Sequence, residues 1–249
     1  MAEQSAIQQN GGGSIPTPSL QDQYDFLGLK NTPIPSGLRF SRCPSTEVKA
    51  FVCAHHYSKT CSGANDFCFK AELDGILVGA IVYGFMGGNV KGACVLNGYP
   101  DIKKYREFRR LVMLDEVANN SESRFISWTL RWLQKNTDLL AIITFADSEQ
   151  DHVGYVYQAS NWLYVGASQP GHWRLIVNGT LMHTRTVTAR YGTENVERLK
   201  AQGLDVVVQA RPRKHRYVYV LRPELAPLLK WPVLPYPKTK APQTGARVV

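Results

Sequence analysis

Apolar residues at Val48, Phe51 and Val52 follow the i, i+3, i+4 spacing of a helix with one buried face. Ser45 or Thr46 can cap that helix, and Glu47 suits its first turn. The helical pattern runs into Ala54-His55-His56-Tyr57-Ser58 and breaks near Ser62-Gly63. The period then changes. Phe67 to Leu73 and Ile76 to Phe85 flank Asp74-Gly75, a strong hairpin signal. Tyr105 to Leu114 ends as a β-like run led by Arg109 and Arg110. A helix is expected over Glu122 to Gln134, with Phe125, Ile126, Trp128, Leu130, Trp132 and Leu133 on its apolar face and Asn120 or Ser121 as N-cap.

Leu139 to Ala146 is an Ile-containing apolar run of strand length. Asp147, Glu149, Asp151 and His152 follow at once, then a short helical pattern, then a strand from Asn161 to Val165. Further on, Trp173 to Val177 and Thr180 to Val187 flank Asn178-Gly179, a second hairpin signal. Glu194 to Gln202 reads as a helix stopped by Gly203. Asp205 to Gln209 and Tyr217 to Leu221 are β-rich, and Glu224 to Lys230 leads into an irregular Pro-rich end. This order fits an α/β (α+β) fold, a mixed, mostly antiparallel central sheet flanked by helices.

The organisation that follows is an arm over residues 1–37, a domain over 38–222 carrying basic C-terminal strands, and a Pro-rich tail over 223–249. Gly11-Gly-Gly-Ser and four prolines give the arm too little apolar surface to offset the entropy of ordering it. Hydrophobic residues make up 44% of the chain, enough for a core, yet no run approaches the roughly 18 apolar residues of a membrane span. Neither a membrane span nor a secretory signal is expected. Five cysteines without a Cys-x-x-Cys pair read as reduced thiols.

Charge adds a partner. The net charge is +9, and residues 184–249 alone hold thirteen basic against four acidic side chains. Such asymmetry suggests a polyanion, and Arg211-Pro-Arg213-Lys214-His215-Arg216 makes Arg211, Arg213, Lys214 and Arg216 the expected DNA contacts. A solvated basic face is the plainer alternative.

The chemistry concentrates in four places. His55-His56-Tyr57-Ser58 offers imidazole and phenol groups for acid/base work or for a metal, or simply caps a helix. Of Arg109 and Arg110, strand alternation sends one to solvent and turns the other inward, where an unpaired charge is costly. Asp147 directly ends a strand, where α/β proteins gather ligands. The start of the helix after Asn120 and Ser121 presents unpaired amides, a ready site for a cofactor pyrophosphate. No Gly-x-Gly-x-x-Gly, Gly-x-Ser-x-Gly or His-Glu-x-x-His motif is present, which disfavours hydride transfer, serine hydrolysis and zincin chemistry.

The strand Arg109 to Leu114, the helix after it, the strand Leu139 to Ala146 and the piece Tyr157-Gln-Ala-Ser-Asn-Trp162-Leu-Tyr-Val-Gly166 resemble the GNAT acyltransferase superfamily. The loop Asp115 to Ser121 departs from that superfamily, lacking its Gln/Arg-x-x-Gly-x-Gly/Ala signature. A closer resemblance is to the Mom family of DNA-modification proteins of Mu-like phages. It is carried by His56-Tyr57-Ser58, Glu107-Phe108-Arg109-Arg110-Leu111, Phe145-Ala146-Asp147, His152-x-Gly154-x-x-Tyr157-Gln-Ala and Trp162-x-Tyr164-x-Gly166, and spans roughly residues 40–220.

This resemblance implies transfer of a carbamoylmethyl (acetamido) group to the exocyclic amine of adenine in double-stranded phage DNA, in the host cytoplasm, as protection from restriction enzymes. It implies His56, Tyr57, Arg109, Asp147 and Tyr157 as catalytic residues. His56, Tyr57 and Asp147 would be the ligands of iron. Leu111, Val112, Asn120 and Ser121 would hold acetyl-CoA or another acyl donor. An adenine extruded from the duplex would stack on aromatics, for which Tyr57, Tyr155 and Trp162 are candidates. Two other readings are a non-catalytic DNA-binding protein and an N-acetyltransferase of proteins or small molecules. The oligomeric state is left open, a homodimer being one option.

Overall fold

The computed structural model describes residues 36–238 except 62, 64, 87–93, 119, 149–151, 169–173 and 210–212. Residues 1–35 of the arm, the end of the tail, Glu149, Asp151 and Arg211 therefore lie outside the described residues. Seven strands form the main sheet: β1 (Leu38–Cys43), β2 (Asn65–Leu73), β3 (Ile76–Gly84), β4 (Tyr105–Met113), β5 (Ala141–Ala146), β6 (Leu163–Ala167) and β10 (His215–Val220). Their order is β1-β2-β3-β4-β5-β10-β6, and only β4 and β5 run parallel. The expected mixed, mostly antiparallel sheet is thus the architecture found. Strand β1 has no counterpart in the sequence reading. Its residues pair register for register with β2, from Leu38 opposite Leu73 to Cys43 opposite Cys68.

Helix α1 (Ser45–His55) and helix α2 (Ser121–Asn136) cover opposite faces. Phe125, Ile126, Leu130 and Leu133 of α2 pack with Phe69, Ile81, Tyr83, Phe108, Ile142, Trp162 and Tyr217. On the other face Val48 and Val52 of α1 meet Cys43, Cys68, Ala80, Val82 and Val112. From Ala80 to Tyr83 the residues of β3 alternate between the two clusters, as the period of two requires, while Val78, where the register against β2 shifts, lies on the α2 side. The α2 cap falls on Asn120 as expected, whereas that of α1 falls on Pro44 instead of Ser45 or Thr46. Pro44 and Asn120 hold the N-cap positions without a side-chain bond, and the Ser121 hydroxyl instead donates to the Ala118 carbonyl at 2.6 Å.

Two irregularities open the sheet. Val82 pairs with Arg110 and Tyr83 with Phe108, so Arg109 is an extra residue in β4, a β-bulge. The bulge reverses the alternation: Phe108, Leu111 and Met113 all join the α2 side, while Val112 joins the α1 side. The second irregularity is the β4–β5 pairing itself. It covers only Tyr105 opposite Ala141, Arg106 opposite Ile142 and Glu107 opposite Ile143, although both strands continue. Beyond Glu107 the strands fork. The buried Thr144 hydroxyl bridges the gap by donating to the Phe108 carbonyl at 3.1 Å.

Between β6 and β10 the chain builds a small separate layer: β7 (Arg174–Val177), β8 (Thr180–His183), α4 (Thr184–Tyr191), α5 (Val196–Ala201) and β9 (Val206–Gln209), with α3 (Tyr155–Gln158) preceding β6. Its sheet order is β8-β7-β9, and Leu175, Val177, Val187, Leu199 and Val206 form its core. Here the expected strand to Val187 is corrected. The β-branched run Thr184-Arg-Thr-Val-Thr is helical, because His183 accepts the Arg185 amide as a cap and Gly192 ends the helix at φ +76°. Burial of Val187 against Leu199 and Val206 outweighs the modest strand preference of Thr and Val.

The Pro-rich end is bound to the sheet as far as it is described. A 3-10 turn over Pro223–Leu228 leads to Leu229, bridged to Leu96, and the Leu234 amide donates to Tyr164 of edge strand β6 at 2.9 Å. The Tyr236 hydroxyl donates to the Trp162 carbonyl at 2.9 Å. Prolines suit such an edge, since they cannot extend the ladder to another chain.

Candidate functional site

The fork between β4 and β5 opens into a cleft of about 670 Å³. Its walls come from the end of α1, the bulged half of β4, the end of β5, the first turn of α2 and the segment 152–157. His56, Tyr57, Arg109, Asp147 and Tyr157, scattered over a hundred residues of chain, all line it, as do Leu111 and Val112.

His56 lies just past the end of α1, in extended conformation, with its amide closing onto Val52 at 2.9 Å. The next turn folds its ring back on Ser58: Nδ1 accepts the Ser58 amide at 3.1 Å and lies 2.8 Å from the Ser58 hydroxyl. Burial, helped by the charges of Arg110 and Lys59, pushes the imidazole down to about 4, so it is neutral at physiological pH. Tyr57 stacks on it at 4.3 Å between ring centres and is itself 57% exposed. Partial burial and the nearby Asp147 carboxylate push the Tyr57 phenol up.

Arg109 and Arg110 are both partnered. At the bulge the Arg109 guanidinium donates to the Phe85 carbonyl and lies 3.7 Å from Glu107. Arg110 turns to the α1 side and pins the loop after His56, donating to the Thr60 carbonyl at 2.9 Å and the Thr60 hydroxyl at 3.1 Å. The bulge, rather than simple alternation, separates them.

Asp147 is nearly buried at the end of β5, and its carboxylate accepts from the Lys214 ammonium at 2.8 Å. The backbone then loops so that the His152 amide reaches the Asp147 carbonyl at 3.3 Å. Gly154, at φ +83°, starts α3 where any Cβ would sit 2.6 Å from the Tyr217 ring and 3.0 Å from that of Tyr157. Tyr157 packs edge-on against Phe108 at 5.6 Å and lies 5.5 Å from Trp162 and from Tyr217. Burial pushes its phenol up to about 12, opposed by a hydrogen bond with Thr144. It is therefore a proton donor at neutral pH, not a base.

The remaining expected site residues fall elsewhere. Asn120 lines a smaller cavity of about 330 Å³ that shares Leu111, Glu122, Tyr155 and Val156 with the cleft. Ser121 is 1% exposed, lines neither cavity, and spends both its amide and its hydroxyl on Ala118. The carboxylate facing both cavities from the first turn of α2 is Glu122, a charge that complements the helix dipole. Trp162 is fully buried in the core, leaving Tyr57 and Tyr155 as the exposed aromatics beside the cleft. Of the basic run, Arg213 is exposed. Lys214 faces Asp147, and the Arg216 guanidinium lies 3.8 Å over the Trp231 ring and donates to Val165. Alternation along β10 and the covering tail turn Arg216 into the fold.

Sequence reasoning missed Thr144 and Glu122 as parts of this site. Thr144 carried a signal, a lone hydroxyl in the run Ala-Ile-Ile-Thr-Phe-Ala.

A seven-stranded sheet forked at its single parallel pair, with its polar cleft in the fork, places the molecule in the GNAT-like α+β class. Within that class the chain belongs to the Mom protein family, which it matches over residues 37–238. It is 30% identical over 198 residues to the methylcarbamoylase Mom of Escherichia phage Mu, covering 77% of this chain and 80% of that protein. Among solved structures it is similar to a spermidine N-acetyltransferase of Vibrio cholerae, at TM-score 0.45 and 10% identity, covering 77% of this chain and 98% of that one. An N-acetyltransferase of Staphylococcus aureus is similar at TM-score 0.42 and 9% identity, covering 74% and 99%.

Proposed function

We propose that this chain is a DNA-modifying transferase that places a carbamoylmethyl group on the exocyclic amine of adenine and so shields phage DNA from restriction in the host cytoplasm. The observation that carries this reading is the convergence of His56, Tyr57, Arg109, Asp147 and Tyr157 on one cleft in a chain of the Mom family. Adenine's exocyclic amine is a weak nucleophile, because its lone pair is delocalised into the ring. Its attack on the methylene carbon of the carbamoylmethyl group needs an activated electrophile and a donor of protons to the group that departs as the N–C bond forms. The Tyr157 phenol, held protonated, is placed for the second task. Arg109, fixed by Phe85 and Glu107, orients the donor's carbonyl or anionic group. Tyr57 and Tyr155 offer exposed rings on which an extruded base can stack.

A donor carrying the whole carbamoylmethyl group on a leaving group would enter along Leu111 and Val112, towards the smaller cavity at Asn120; acetyl-CoA alone lacks the amide nitrogen of that group. Among the described residues no three His, Cys, Asp or Glu side chains stand together as a metal group, and an iron site in this cleft would draw on the Tyr57 phenolate beside His56 and Asp147. This set of imidazole, phenolate and carboxylate suits iron. Bound there, iron would act as a Lewis acid on the donor.

The test is mass spectrometry of nucleosides from plasmid DNA co-expressed with the protein. A new adenine adduct is expected with the unaltered chain and is expected to vanish in His56→Ala and in Asp147→Ala while both variants stay folded. No adduct with the unaltered chain, or an undiminished adduct in both variants, overturns the reading.

A further inference from the structure

The small layer between β6 and β10 presents a surface the catalytic reading does not use. Leu175, Val177, Met182 and Val206 turn inward to α4 and α5. Alternation turns the intervening residues outward, and the register aligns them into two cross-strand rows. His183 and Gln209 both pair with Arg174, while Leu181 and Val207 both pair with Ile176. Leu181 is 48% and Val207 52% exposed. This outward set holds a guanidinium, an imidazole, an amide and three aliphatic groups, and no carboxylate.

The layer is rooted beside the cleft. The Ser168 amide donates to the Lys214 carbonyl at 2.8 Å, and the Lys214 amide returns to the Ser168 hydroxyl at 3.1 Å. His215 pairs with both Ala146 and Ala167, next to Asp147. Arg174 and Gln209 stand six and five residues from this root, so the polar row is within about 20 Å of it along the chain.

We propose that the outward face of β8-β7-β9 is the surface by which this protein grips the DNA duplex, lying in the major groove next to the adenine presented to the cleft. The proposal rests on duplex DNA being the substrate. Three strands roughly 4.8 Å apart and four residues long make a face of about 10 by 13 Å. The major groove is about 12 Å wide and admits a two-stranded β-ribbon, so β7 with one neighbour enters it and the third strand lies at its rim. Ile176, Leu181 and Val207 suit thymine methyl groups, while Arg174, His183 and Gln209 suit base edges and phosphates. The surface also supplies contacts that the basic run gives up where Lys214 and Arg216 bond within the fold.

The experiment uses the full chain, a fluorescent duplex of about 30 base pairs and anisotropy over a salt series, with sedimentation and plasmid modification in parallel. Leu181→Glu/Val207→Glu should weaken duplex binding about tenfold or more by setting carboxylates against phosphates. Arg174→Ala should lower the slope of log affinity against log salt by about one. Both variants should keep the native circular dichroism and sedimentation. Unchanged affinity and slope in folded variants, with an unaltered chain that still binds and modifies DNA, overturn the proposal alone. A variant that changes sedimentation but not DNA affinity assigns the face to a second copy of the chain and also overturns it. An unaltered chain that neither binds nor modifies DNA removes the substrate reading beneath it.

Discussion

The carboxylate of Asp147 and the ammonium of Lys214, 67 residues apart in sequence, meet at 2.8 Å where β5 ends and β10 begins. The contact ties the acid of the cleft to the strand that follows the β7–β9 layer. The carboxylate is 10% and the lysine side chain 34% exposed, so removing the lysine leaves a nearly buried charge without this partner. Lys214→Ala should therefore cost about 1–3 kcal/mol. Lys214→Ala in an Asp147→Asn background should cost less, since no charge is then stranded. Urea unfolding of the four proteins in this cycle measures the coupling, and equal costs in both backgrounds would remove the pair as a structural tie.

Gly154 is the tightest point of the site. An added methyl would collide with Tyr217 and Tyr157, and φ at +83° disfavours any L side chain. Gly154→Ala should lower stability by about 1–3 kcal/mol. It should also displace Tyr157, so adduct formation should drop at least tenfold at temperatures where the variant remains folded. Thermal unfolding beside plasmid modification separates the two effects.

Thr144 spans the fork. Thr144→Val keeps the shape but leaves the Phe108 carbonyl without that donor and removes the hydroxyl beside Tyr157. A loss of about 1–2 kcal/mol is expected. Near-isosteric replacement with full stability would show that the bridge is dispensable.

Cys43 and Cys68 lie directly opposite each other on β1 and β2, and burial pushes their thiols up to about 11 and about 12. At pH 8 they remain protonated, and thiolate is the reactive form. Brief iodoacetamide treatment of the folded chain at pH 8 should leave both unmodified while the less buried Cys53 reacts. In urea all three should label, which peptide mass mapping reads directly.

Much of this was legible in the sequence. The Asp74-Gly75 and Asn178-Gly179 hairpins, the amphipathic α2 and the strand ending at Asp147 follow from local turn chemistry and hydrophobic period. The motif residues His56, Tyr57, Arg109, Asp147 and Tyr157 could be named, because the resemblance is written in local patterns. Local chemistry also fixes that Gly154 must be glycine once its φ is known, but nothing local supplies that φ. Three features belong to the tertiary structure. The bulge at Arg109 arises from register against β3, and it decides which arginine enters the cleft. The helix over Thr184–Tyr191 wins over a strand-like sequence because Val187 finds a core made by β7, β9 and α5. Lys214 and Arg216 look like solvent cations in a basic run, yet they meet Asp147 and Trp231 across the sheet. A sequence states what each residue can do within a few neighbours. Which charge is buried, and against what, is set by partners brought from far along the chain.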